Sequence, residues 1–109
     1  MHPGESIAKI KFAVIDKAGS GDNELIAAVA GKKLRVLAYV LVSGGTVVVR
    51  FESAAGGTAL TGQMTTAVNN IISSGYSPVG HFETIAGEAL NLELSGAVTV
   101  DGHLVFQEV

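Results

Sequence analysis

Three histidines, His2, His81 and His103, are the candidates of this sequence for metal binding, and the carboxylates Asp16, Asp22, Glu83, Glu88 and Asp101 are its candidates for acid–base chemistry. Zinc chemistry requires three or four ligands in tetrahedral geometry. The spacing supplies neither a His-x-His nor a His-Glu-x-x-His pair, so a zinc site would form only if folding brought His81 and His103 to Asp101 or Glu83. Each histidine reads more simply as a solvated or hydrogen-bonded structural residue. General acid–base work needs two carboxylates held at a defined separation, and no spacing singles out such a pair. Gly19-Ser20-Gly21 lacks the Gly-Lys-Ser/Thr ending of a phosphate-binding loop and precedes a strand instead of a helix; Gly31-Lys32-Lys33 fails the same test. The serines lack the Gly-x-Ser-x-Gly elbow of hydrolases. Without cysteine, disulfides and thiolate metal sites are excluded. These residues lead to the expectation of a protein that is not an enzyme, with no catalytic residues, no cofactor and no metal.

An aromatic binding platform is poorly supplied as well. The chain has no tryptophan, and the alternation of its strands puts Phe12, Phe51 and Phe106 on inward faces. Tyr39, Tyr76 and Phe82 remain for a ligand or for packing.

Charge is distributed unevenly. All seven basic residues lie between Lys9 and Arg50, whereas the chain from Glu52 onward carries six acidic residues and no Lys or Arg. If both halves contribute strands to one domain, opposite charges meet across strands or between neighbouring copies, and the pattern argues against a nucleic-acid-binding face. A charged fraction of 16% is low for a small monomer, which points to a surface partly covered by another subunit. The basic residues Lys32, Lys33, Arg35 and Arg50, together with Tyr39, are the interface candidates.

A length of 109 residues allows one domain. No apolar run reaches the roughly 18–20 residues of a membrane-spanning helix, and the first residues lack a secretory pattern, so the expectation is a soluble protein made in the cytosol. Residues 1–6 read as an N-terminal arm. From Ala8 the chain alternates, with Ala8, Ile10, Phe12 and Val14 expected inward and Lys9 and Lys11 outward. Leu25 to Ala30 reads as a second strand. In Leu34–Val42 the residues Leu34, Val36, Ala38, Val40 and Val42 share one face, and Leu37, Tyr39 and Leu41 make the opposite face apolar too. Ser43-Gly44-Gly45 is expected to join this strand to Thr46–Ser53 as a hairpin. Residues Gln63 to Ser74 favour strand and loop over a short helix, Gly80 to Ile85 a short strand, and Leu90, Leu92 and Leu94 a strand with one buried face. Val98 to Val109 is expected to close as a hairpin about an Asp101-Gly102 turn. Strands recurring every eight to twelve residues imply an all-β antiparallel sandwich or barrel in a single domain.

Gly31-Lys32-Lys33-Leu34-Arg35-Val36-Leu37-Ala38-Tyr39, Leu60-Thr61-Gly62, Ser77-Pro78-Val79-Gly80-His81-Phe82-Glu83-Thr84, Gly87-Glu88-Ala89-Leu90-Asn91-Leu92 and Gly102-His103-Leu104 resemble the corresponding stretches of small virion proteins of tailed bacteriophages and prophages. The resemblance spans most of the chain. It implies a jelly-roll β-sandwich that acts as a cement or decoration protein on an icosahedral head. Such a protein associates with itself as a homodimer or homotrimer and with the major capsid protein, and it is located on the capsid surface of the virion. Two other classes remain open: a tail or fibre receptor-binding module, and a small double-sheet metal-dependent enzyme.

Overall fold

Ten strands and no helix make up the computed structural model, which describes residues 10–109. Ala8, Lys9, His2 and the 1–6 arm lie outside the described residues. The strands are β1 (Ile10–Lys17), β2 (Gly21–Ile26), β3 (Leu34–Ser43), β4 (Val47–Ser53), β5 (Thr58–Ala59), β6 (Met64–Thr66), β7 (Ile71–Ser74), β8 (Phe82–Glu83), β9 (Leu90–Leu94) and β10 (Val100–Glu108). One antiparallel sheet runs β1-β10-β3-β7, with β8 also on β3; the other runs β2-β9-β4-β5, with β6 also on β4. We call them the β10 sheet and the β9 sheet. Successive strands alternate between the sheets at the start of the chain, and late strands insert between early ones, which is the double Greek key of a jelly roll.

The core lies between the sheets. Leu90, Leu92 and Leu94 of β9 lie beside Val47, Val49 and Phe51 of β4 on the inner side of one sheet, and Ile15, Leu34, Val36, Leu41, Val100, Leu104 and Phe106 line the other. Burying each large apolar side chain contributes roughly 1.5–3 kcal/mol, so the alternating leucines and valines account for the period-two pattern of these strands. Residues 63–74 form two short strands, as the weak helix-forming sequence suggests.

The second strand runs Gly21–Ile26 and not, as expected, from Leu25 to Ala30. Other expectations are corrected too. First, β3 and β4 do not form a hairpin: β3 pairs with β10, β7 and β8, whereas β4 pairs with β9, β5 and β6, so Ser43-Gly44-Gly45 carries the chain from one sheet to the other. Both strands bury an apolar face in the same core, which a hairpin and an inter-sheet arch satisfy equally well.

Second, Asp101-Gly102 is not a turn, because β10 passes straight through it, and Gly102 sits opposite Ile15 on one side and Leu41 on the other. The glycine serves close approach to β3 rather than chain reversal. Third, Ile10, Phe12 and Val14 point outward, while Ala13 and Ile15 point into the core. Phe12 is 81% exposed and Ile15 is 1% exposed. Both parities of this strand carry apolar residues, and pairing with β10 decides between them.

A bulge reorients β3 in mid-strand. Phe106 pairs with Val36 and Val105 with Ala38, leaving Leu37 as the extra residue. Leu34 and Val36 therefore face inward before the bulge, while Tyr39, Leu41 and Ser43 occupy the inward register after it. Ala38, Val40 and Val42 are turned to the outer face.

Candidate functional site

Register places a set of apolar side chains on the outer face of the β10 sheet. Cross-strand partners project from the same face, giving the rows Phe12–Val105–Ala38, Val14–His103–Val40–Ser73 and Asp16–Asp101–Val42–Ile71. Phe12, Val14 and Ile71 are 81%, 76% and 67% exposed. Single exposed apolar residues are ordinary on protein surfaces; here three stand on one sheet face. The same face ends on β1, an eight-residue strand that pairs only with β10 among the described strands. A strand edge of that kind presents backbone donors and acceptors to another chain.

At one corner of this face Asp16 and Asp101 are direct cross-strand partners. Partial desolvation, followed by the adjacent Asp16 carboxyl, raises the Asp101 carboxyl above its ordinary range.

The outer face of the β9 sheet is polar. Asp22, Glu93 and Arg50 form one row across β2, β9 and β4, and Glu24, Asn91 and Glu52 form the next. Arg50 binds Glu52 Oε2 through Nε at 3.1 Å and also through its terminal nitrogen, which reaches Glu93 Oε1 at 3.0 Å. Glu52 belongs to the outer face by register, yet it is 1% exposed. Burial, then the neighbouring Asp22 carboxyl, pushes the Glu52 carboxyl upward against the opposing pull of Arg50. Sequence reasoning passed over this cluster because its members come from three strands of unknown register. Its only local trace is Arg50 and Glu52 on one side of β4.

Among the sequence-derived interface candidates, Arg35 and Lys33 both reach Glu83, Arg35 Nε at 2.8 Å and Lys33 Nζ at 3.2 Å. Arg35 first, then Lys33, holds the Glu83 carboxyl below its ordinary range. Lys11 on β1 pairs with Glu108 on β10 at 2.8 Å. Opposite charges of the two chain halves thus meet across strands, because the fold interleaves early and late strands. Lys32 is exposed beside these pairs, and its carbonyl accepts a hydrogen bond from the Gly87 N–H.

Tyr39 faces inward and meets Phe51 edge-on at 5.1 Å and Phe82 at 6.0 Å. Phe51 and Phe82 are 5.0 Å apart. Tyr39 and Phe82, both half-buried, thus join the packing cluster between the sheets, and Tyr76 is 60% exposed. His81 bonds the Gly75 carbonyl through Nε2 at 2.7 Å, whereas His103 stands on the outer face of the β10 sheet between Val14 and Val40. The described residues do not bring His81, His103, Asp101 and Glu83 together as metal ligands; their one group of three with metal-binding spacing is Asp22, Glu52 and Glu93. No helix among the described residues is long and apolar enough to cross a membrane. No family model, no curated protein and no solved structure matches the chain.

Proposed function

We propose that this protein is a structural subunit that associates with copies of itself through the outer face of the β10 sheet and decorates a larger protein shell. The observation that carries this reading is the exposed apolar set centred on Phe12 and Val14, 81% and 76% exposed on a regular, hydrogen-bonded sheet. Ordered strands hold these side chains in place, so binding a second copy costs little conformational entropy and removes apolar surface from water. The open β1 edge beside them suits a self-associating protein. The resemblance to virion proteins of tailed phages suggests the shell, making the protein a capsid decoration or cement protein bound to the major capsid protein.

Light scattering after size exclusion tests the association. The wild-type protein is expected to run as a dimer or trimer at micromolar concentration and to remain so in 1 M salt, where the Debye length is about 3 Å and exposed charge pairs are screened. Replacing Phe12 and Val14 together by serine is expected to give a monomer with an unchanged circular dichroism spectrum. Rebinding of purified protein to heads stripped of it tests the shell. A wild-type monomer near 11 kDa that leaves stripped heads bare would sink the proposal.

The receptor-binding alternative has its own support in the loop before β8, where Tyr76 and Val79 are 60% and 77% exposed. Retention on a glycan array, lost on Tyr76→Ala, would favour it.

A further inference from the structure

The acidic group on the opposite face of the sandwich stands apart from the docking surface, and its geometry suits a ligand of different chemistry. One oxygen from each of Asp22, Glu52 and Glu93 lies within 4.8 Å of the other two. The three residues come from β2, β4 and β9, so a ligand held by all three ties the edge strand β2 to the middle of its sheet. Arg50 bonds Glu52 and Glu93. When ionised, three carboxylates against one guanidinium leave two negative charges uncompensated within the group. Glu52 supplies an independent sign that something is to be bound. It is 1% exposed, Arg50 engages its Oε2, and its Oε1 has no hydrogen-bond partner. A carboxylate oxygen withdrawn from water without a donor is costly and is ordinarily satisfied by a cation or a hydrogen bond.

We propose that Asp22, Glu52 and Glu93 bind a divalent cation of the size and oxygen preference of calcium. Two oxygens bound to one calcium ion at about 2.4 Å can be no more than about 4.8 Å apart, and the three carboxylates meet that limit. Calcium accepts six to eight oxygens in flexible geometry, so three side chains on a sheet face supply part of its shell and water reaches the rest past the exposed Asp22. Magnesium requires shorter bonds in a near-ideal octahedron and gives up water reluctantly. Zinc and copper favour nitrogen and sulfur, which these three side chains do not offer. The charge of a divalent ion equals the uncompensated charge of the group. The turn after β4 borders the site: a Cβ on Gly56 would stand 3.9 Å from Asp22 Oδ2.

The test uses the full chain freed of metal by a chelator and then titrated with CaCl2, MgCl2 or NaCl at matched ionic strength. Calorimetry is expected to show one calcium per chain, with magnesium at least about tenfold weaker. At tenfold excess of free calcium over the dissociation constant the melting temperature is expected to rise by about 5 °C. Asp22→Asn changes an exposed side chain and is expected to fold normally and to weaken calcium binding at least about tenfold. Glu52→Gln is expected to abolish the calcium response and to melt at a higher temperature than the chelated wild type. If Glu52→Gln does not fold, Asp22→Asn decides. No calcium binding at millimolar CaCl2, an equal thermal shift from MgCl2 or NaCl, or full calcium affinity in Asp22→Asn would each overturn the proposal. None of these outcomes depends on self-association or on binding to a shell.

Discussion

A Cβ placed on Gly102 would collide with the carbonyl oxygen of Val40 and stand 2.9 Å from its carbon. Both atoms belong to the backbone of β3, so no side chain can swing away to make room. Gly102→Ala is therefore expected to separate β10 from β3 locally and to destabilise the fold by about 1–3 kcal/mol, the range for an imposed backbone strain. Chemical denaturation compares the variant with the wild type. Equal midpoints would mean that the two strands have slack at this position.

Phe12 and Phe51 separate the outer face from the core. Phe51 is 0% exposed and packs on Tyr39 and Phe82, and Phe51→Ala is expected to cost about 3–5 kcal/mol. Phe12→Ala is expected to leave the folding of a monomer nearly unchanged while weakening self-association. A large loss of monomer stability in Phe12→Ala would place that ring in the core after all.

Two carboxylates should respond to pH with opposite signs. Glu83 has a lowered folded-state value, so its contribution is present above the ordinary value of 4.5 and is lost as pH falls through the lowered one. Glu83→Gln is expected to cost about 1 kcal/mol at pH 7, since its partners Arg35 and Lys33 are partly solvated. That cost should vanish in strong acid.

Asp101 has a raised value, so the folded state holds its proton more tightly than the unfolded chain, and the resulting stabilisation disappears as pH rises through the raised value. Asp101→Asn removes the repulsion from Asp16 and is expected to melt at a higher temperature than wild type at pH 7. The difference should close below the ordinary value of 3.8. Melting curves from pH 3 to 7 on the two variants read both signs, and parallel behaviour would refute the pairing pattern.

Deleting residues 103–109 removes most of β10, which lies between β1 and β3 and supplies Leu104 and Phe106 to the core. The truncated chain is expected to be insoluble or to lack a cooperative melt. A soluble, cooperatively melting product would show that β1 and β3 can pair without it.

The alternation of Leu90, Leu92 and Leu94 was legible because Asn91 and Glu93 make the opposite parity polar, and that of Val47, Val49 and Phe51 because Arg50 and Glu52 do the same with Val48 as the one apolar exception. Burial then admits a single orientation, and the strand pattern alone implies an all-β antiparallel sandwich or barrel with these strands in its core; the strand pairing makes it two sheets. The sequence by itself determined the charge split between the halves, but not where the charges would meet. Where both parities carry apolar residues the alternation misleads: it assigns Phe12 to the interior of β1, and pairing with β10 decides that Ile15 enters instead. The bulge at Leu37 likewise arises from the match between two strands about 70 positions apart, and it reverses the face that simple alternation assigns to Val40 and Val42. Whether β3 and β4 form a hairpin or an arch depends on which distant strands insert beside them, since β10 and β9 claim the hydrogen bonds that a hairpin would have used. The same long-range pairing gathers Asp22, Glu52 and Glu93. Their separation in sequence carries no sign of proximity, because register is a property of two strands together and not of either one alone.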